Sequence, residues 1–132
     1  MSCFNSSLSD VNTKISKWDK VNLSSYNCSN GYNAFYKNPN GLINLVLSCI
    51  TDKDYVTGVA YPITDFSNVY FPKTIRYIPF IIISNNKPYF AELLFQMNSN
   101  SNNYGLSIVN RSSENMPAGS YISLDITYLP EQ

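Results

Sequence analysis

The apolar positions of the chain follow two different periods. From Phe4 to Trp18 they are Phe4, Leu8, Val11, Ile15 and Trp18, and every residue between them is polar. Spacings alternating between four and three put each member at an a or d position of a heptad, which predicts a helix with one narrow apolar seam. A helix lying on a globular core carries three or four apolar residues per two turns. The narrower seam therefore favours a helix that associates with copies of itself over one that lies on its own domain. Helices shorter than about 12–15 residues are marginal alone in water, so either arrangement requires a partner surface. The chain divides accordingly into a short coiled-coil stalk at 1–20, a connector at 21–30 and a head at 31–132.

Beyond the connector, which admits a short strand at 20–23, the period changes to two. Residues 32–37 and 42–50 read as strands joined by Asn38-Pro39-Asn40-Gly41, a turn in which Pro presets φ and Asn-Gly tolerates positive φ. The run 42–50 is apolar at nearly every position, as in a strand buried on both faces. A polar loop at 51–54 precedes a short strand at 55–61. The segment 62–74, with Pro62 and Pro72, reads as irregular. Residues 75–84 are β-branched and strand-like, and Pro79 inside them predicts an edge strand or a bulge. A turn at 85–88 leads to a partner strand at 89–97. A polar loop at 98–103, a strand at 104–110 and a second polar loop at 110–119 follow. The last strand, 121–129, alternates cleanly: Ile122, Leu124, Ile126 and Tyr128 face one way, and Ser123, Asp125 and Thr127 the other. These elements predict an all-β fold, an antiparallel sandwich or barrel head preceded by a short coiled-coil helix.

Composition narrows the function. Charged residues are 14% of the chain, well under the usual quarter, so neutral Asn and Ser must keep the surface wet. The net charge is zero, so no basic excess steers the chain toward nucleic acid or anionic membrane. The longest apolar run, 78–83, is too short to span a bilayer and contains Pro79. No signal-peptide pattern follows Met1. Cys3, Cys28 and Cys49 lack metal or redox spacing, and their odd number predicts free thiols from a reducing compartment.

The chain has no histidine, which removes the commonest general base and the usual metal ligand. No phosphate-binding glycine motif is present. Among the scattered carboxylates, Asp52 and Asp54 read as a solvated turn, and Glu92 as the partner of Arg76 or Lys87. No catalytic residue, metal or cofactor is expected. What remains is Tyr and Asn in loops. Tyr is a rigid amphipathic contact residue: its face packs on the apolar face of a sugar while Asn, Asp and Arg bond hydroxyls. The loops 65–71, 98–104 and 110–115 supply Asp65, Tyr70, Asn103, Tyr104, Arg111 and Glu114 as candidate saccharide-binding residues. Arg111 stands out as a charged donor in an otherwise neutral loop beside Glu114.

The whole pattern resembles the receptor-binding proteins at the tail or baseplate tips of bacteriophages that infect Gram-positive bacteria. The heptad from Phe4 to Trp18 precedes a β-only region. "GYNAFYKNPNGLINLVLSCI" at 31–50 is similar to the opening hairpin of those proteins. "AYPI" at 60–63 and "YFP" at 70–72 resemble their mid-domain turn, and "GSYISLDITYL" at 119–129 their closing strand. The resemblance implies a homotrimer with a helical stalk and a β-head that binds host cell-wall saccharide. It also implies assembly with other virion tail proteins, synthesis in the host cytoplasm and a place at the virion tail tip. Trimer rather than dimer rests on the resemblance. A trimeric structural fibre or decoration protein, and a small glycan hydrolase, are the alternatives.

Overall fold

A computed structural model describes residues 18–29, 31–97 and 103–131. Phe4, Leu8, Val11 and Ile15 of the predicted seam lie outside these residues. Trp18, its last member, is 36% exposed just ahead of the first strand.

The described chain is all-β and forms two antiparallel sheets with a half-barrel curl. In the first sheet, β1 (Asp19–Asn22) pairs with β3 (Ala34–Lys37), and β3 with the long central β4 (Ile43–Thr51). The two-residue β2 (Cys28–Ser29) extends the β3 side of β4, and β9 (Tyr121–Tyr128) covers its other side. The second sheet runs β5 (Ala60–Ser67), β8 (Asn103–Asn110), β7 (Lys87–Met97) and β6 (Tyr77–Ser84). β6 lies alongside β9, so the sheets approach each other at that edge.

The hairpin turn forms as its residues dictate. Gly41 has φ 89°, and the Asn38 side-chain oxygen accepts from the N–H groups of Asn40 and Leu42 at 2.9 and 2.8 Å. β4 alternates rather than burying both faces equally. Ile43, Leu45, Leu47, Cys49 and Thr51 are buried, while Asn44, Val46, Ser48 and Ile50 are half-buried on the outer face between β3 and β9. β9 keeps its predicted faces: Ile122 and Tyr128 are buried, Leu124 and Ile126 are half-buried against the core, and Ser123, Asp125 and Thr127 are exposed.

The region 55–74 corrects the sequence expectation. Tyr55 and Thr57 make only isolated bridges, and the strand runs from Ala60 to Ser67 across the segment predicted to be irregular. The register shifts between Pro62 and Thr64, so Ile63 and Thr64 are both buried and the alternation breaks. Pro62 is tolerated because β5 is an edge strand. Pro79 likewise sits on edge strand β6, as expected.

Aromatic rings join the sheets. Phe35 from the first sheet meets Phe66 from the second edge-on at 5.3 Å, and Phe95 meets Tyr128 at 5.4 Å. The Tyr128 hydroxyl donates to the Tyr70 carbonyl at 2.7 Å, tying β9 to the short 3-10 turn Asn68–Tyr70. Cys28 and Cys49 are free and buried, as predicted, while Cys3 lies outside the described residues. Cys28 opposes Thr51, so Cys49 is its diagonal neighbour on the inner face. Diagonal neighbours sit about 7–8 Å apart, beyond the usual Cα span of a disulfide. The hydrogen bond between the two thiols lowers the Cys28 pKa and, with burial, pushes Cys49 up.

Candidate functional site

Directly opposed residues of an antiparallel pair share a face. Across β6 and β7, Ile82 opposes Tyr89 and Phe80 opposes Ala91 on the inner side. On the outer side Tyr77 opposes Leu94, Pro79 opposes Glu92, Ile81 opposes Phe90 and Ile83 opposes Pro88. This outer side is apolar yet open: Ile81 is 55% exposed, Ile83 60% and Phe90 59%.

The loop after β8 completes the site. Asn110, the last residue of β8, opposes Ala91, which brings Arg111 beside Phe90. The Arg111 N–H donates to the Phe90 carbonyl at 2.7 Å, and the Phe90 N–H donates to the Ser112 hydroxyl at 2.7 Å. Buried Asn110 holds the loop from beneath. Its amide donates to the carbonyls of Tyr55 and Glu114 at 3.0 and 2.8 Å, and its side-chain oxygen accepts from the Ser112 N–H at 2.9 Å. Asn115 adds a contact from the other end by accepting from the Thr57 N–H at 3.1 Å.

Two ion pairs stand on either side of Phe90. Arg111 Nε donates to Glu92 Oε1 at 2.5 Å. Lys87 pairs with Glu114, and the hydrogen bond to that carboxylate raises the Lys87 pKa. A groove of about 480 Å³ runs over Pro79, Ile81, Phe90, Glu92 and Arg111. A second, of about 250 Å³, lies across Phe90 and is bordered by Lys87, Arg111, Ser112 and Glu114. Phe90 and Arg111 belong to both. The arrangement presents an aromatic face between fixed donors and acceptors, which suits the binding of an uncharged polyhydroxylated ligand.

The structure divides the residues predicted from sequence. Arg111 and Glu114 share one end of the second sheet. Asp65, Tyr70, Asn103 and Tyr104 lie toward the other, since Tyr104 and Asn110 are separated by six positions of β8, about 20 Å. Asp65 opposes Gly105 and accepts from the Tyr26 hydroxyl at 3.3 Å; Asn103 opposes Ser67. Tyr70 stacks on Phe35 at 4.7 Å and Tyr104 packs on Phe71 at 4.8 Å, so both rings already serve the core. Asp54 accepts from the Ala118 N–H at 2.8 Å as part of the 51–54 loop.

Glu92 is engaged by Arg111, not by Arg76 or Lys87 as expected. The Arg76 guanidinium instead donates to the Pro72 carbonyl at 2.7 Å and lies over the Phe71 ring. Sequence reasoning missed Phe90, Ile81 and Lys87. The available signal was an aromatic residue at an outward position between the inward Tyr89 and Ala91.

Among the described residues no group of His, Cys, Asp and Glu is arranged to hold a metal ion, and no helix is long and apolar enough to cross a membrane. No protein-family model, curated protein or solved structure matches the chain.

Proposed function

We propose that the chain is the saccharide-binding head of a bacteriophage receptor-binding protein, acting as a homotrimer at the virion tail tip in adsorption to the host cell wall. The observation that carries the binding role is the open Phe90 ring set between the Arg111–Glu92 and Lys87–Glu114 pairs over a groove. A pyranose has an apolar face that packs on an aromatic ring and a rim of hydroxyls that charged groups bond in pairs. Holding those groups in ion pairs and pinning their loop through Asn110 lowers the entropy lost on binding. Three such sites engaging one surface would raise a weak single-site affinity by avidity. The phage context rests on the resemblance of the sequence pattern.

The test is adsorption to cell walls of a Gram-positive host by Phe90→Ala and Arg111→Ala. Each variant should lose about tenfold or more in affinity while keeping the parent thermal midpoint. Full adsorption by both folded variants would contradict the site.

A second reading is a structural fibre protein of the virion. It is favoured by the apolar row of Tyr77, Ile81 and Ile83 along edge strand β6, a surface suited to another protein chain. In that case Phe90→Ala and Ile81→Ser would alter the assembly state and leave adsorption untouched.

A further inference from the structure

We propose that Asn40 is a site of spontaneous covalent modification, at which the Gly41 main-chain nitrogen displaces the side-chain amide and Asn38 sets the rate by holding the turn closed. The site lies in the hairpin between β3 and β4 and is independent of the saccharide reading.

The chain contains two Asn-Gly pairs, Asn30-Gly31 and Asn40-Gly41. Glycine has no Cβ to obstruct the approach of its nitrogen to the preceding side chain, so asparagine loses its amide most readily before glycine. The structure separates the two pairs. A Cβ built on Gly31 would overlap the Ser48 carbonyl oxygen and Cys49 Cβ, so the main chain there is pressed against β4. One residue on, the Tyr32 N–H donates to the Ser48 carbonyl at 2.6 Å. Gly41 has φ 89° and open space where a Cβ would stand. Asn40 is exposed. Its main-chain N–H donates to Asn38 Oδ1 at 2.9 Å, and among the described residues no hydrogen bond engages its side-chain amide. By contrast, Asn27, Asn33, Asn44 and Asn110 all donate their amides to other groups.

The reaction needs nothing beyond the turn and water. The Gly41 nitrogen gives its proton to water or hydroxide and bonds to Asn40 Cγ. The Cγ–Nδ2 bond breaks, and the amide takes a proton from water and leaves as ammonia. One water then opens the resulting succinimide ring. Opening at Cγ restores the main chain and leaves aspartate. Opening at the main-chain carbonyl routes the chain through the former side chain and leaves isoaspartate, the major product. No oxidant or reductant takes part.

The closed turn opposes this chemistry. The Gly41 N–H donates to the Asn38 carbonyl at 3.0 Å, and the Asn38 N–H donates to the Leu42 carbonyl at 3.0 Å. Asn38 Oδ1 also accepts from the N–H groups of Asn40 and Leu42. The Gly41 nitrogen must leave its acceptor before it can attack, so the rate follows the fraction of time the turn is open. A turn with nothing packed on Gly41 opens more often than main chain pressed on a central strand. Either product adds one negative charge to a chain whose formal net charge is zero. Aspartate keeps the length of the turn. Isoaspartate adds a methylene to it, although the flanking strands are held in register with Lys37 opposite Ile43, so this product loosens the hairpin.

Mass spectrometry of the full chain, incubated in mildly alkaline buffer and then digested with trypsin, tests this. Cleavage after Lys20, Lys37 and Lys53 puts Asn30 in the peptide 21–37 and Asn40 in the peptide 38–53. The mass gained when NH2 is replaced by OH should accumulate in 38–53 faster than in 21–37, with isoaspartate in excess. Asn40→Gln, whose side chain would have to close a larger ring, should abolish the gain in 38–53 and keep the parent thermal midpoint. Asn38→Ala should raise the rate about tenfold, the order expected when two turn hydrogen bonds are lost. If Asn38→Ala fails to fold, the parent chain in urea makes the same test: Asn40 should convert faster than in the native chain, and at a rate close to that of Asn30. The proposal is overturned by a native chain that gains no mass in 38–53 over a time in which the chain in urea converts. It is also overturned by equal rates in the two peptides of the native chain, or by a folded Asn38→Ala that converts no faster than the parent.

Discussion

Two buried tyrosines contribute to how the fold responds to alkali. Burial is the foremost cause that raises Tyr55 and Tyr128 above the ordinary phenol value of about 10. Each hydroxyl also donates to a carbonyl at 2.7 Å, Tyr55 to Asn27 and Tyr128 to Tyr70. The neutral phenol is thus favoured in the folded state. Its contribution is fully present below about pH 10 and is lost as pH rises through the unfolded value toward the higher folded one. The urea midpoint should therefore hold steady to about pH 9 and fall above about pH 10. Tyr128→Phe should cost about 1 kcal/mol at neutral pH through the lost hydrogen bond, and its alkaline fall should be shallower. An unchanged alkaline slope would show that Tyr128 does not titrate with unfolding. At the same scale, Arg111 and Glu114 were legible because charge is scarce in their loop. Phe90 was not, because an aromatic residue in a strand is assigned to the core unless the facing rows are known.

Elements were legible where a strict alternation meets a clear boundary. β9 shows this best: the sequence predicts its faces, and the depth of each residue comes from the packing. Ile122 is fully buried while Leu124 is half-buried against the core. Ile122→Ala should therefore cost about 2–5 kcal/mol, Leu124→Ala less, and Ser123→Ala within about 0.5 kcal/mol of the parent. Chemical denaturation of the three variants checks the order, and a Ser123→Ala loss equal to that of Ile122→Ala would mean the register is wrong. β5 was illegible for a physical reason. Its shift between Pro62 and Thr64 buries two consecutive residues, and no period-two pattern survives that. Pro79 was readable because an edge position is one of the few places a sheet accepts proline.

At the scale of the whole molecule, the sequence predicted the all-β class and an antiparallel arrangement, but the pairing of strands distant in sequence was not readable. β9 completes the first sheet by pairing with β4 and lies alongside β6, while the outward rows of β6 and β7 stay exposed. The predicted seam of Phe4, Leu8, Val11, Ile15 and Trp18 bears on assembly. With the resemblance to trimeric phage heads, it leads to the expectation of a homotrimer. Light scattering at micromolar concentration should give a mass near that of three chains of 14.9 kDa each. Leu8→Asn with Ile15→Asn should shift the population toward monomer. A parent protein that is already monomeric would remove the stalk from the account.

Chemical-shift mapping tests whether the groove at Phe90 takes saccharide. Oligosaccharide released from host cell walls would be titrated into the labelled protein while its amide resonances are followed. The backbone amides of Phe90, Arg111 and Ser112 should move together with a single saturation curve, because hydrogen bonds join all three to one another or to Asn110. Saturable shifts confined to Asp65, Tyr104 and the 51–54 loop, with Phe90 and Arg111 unmoved, would contradict it.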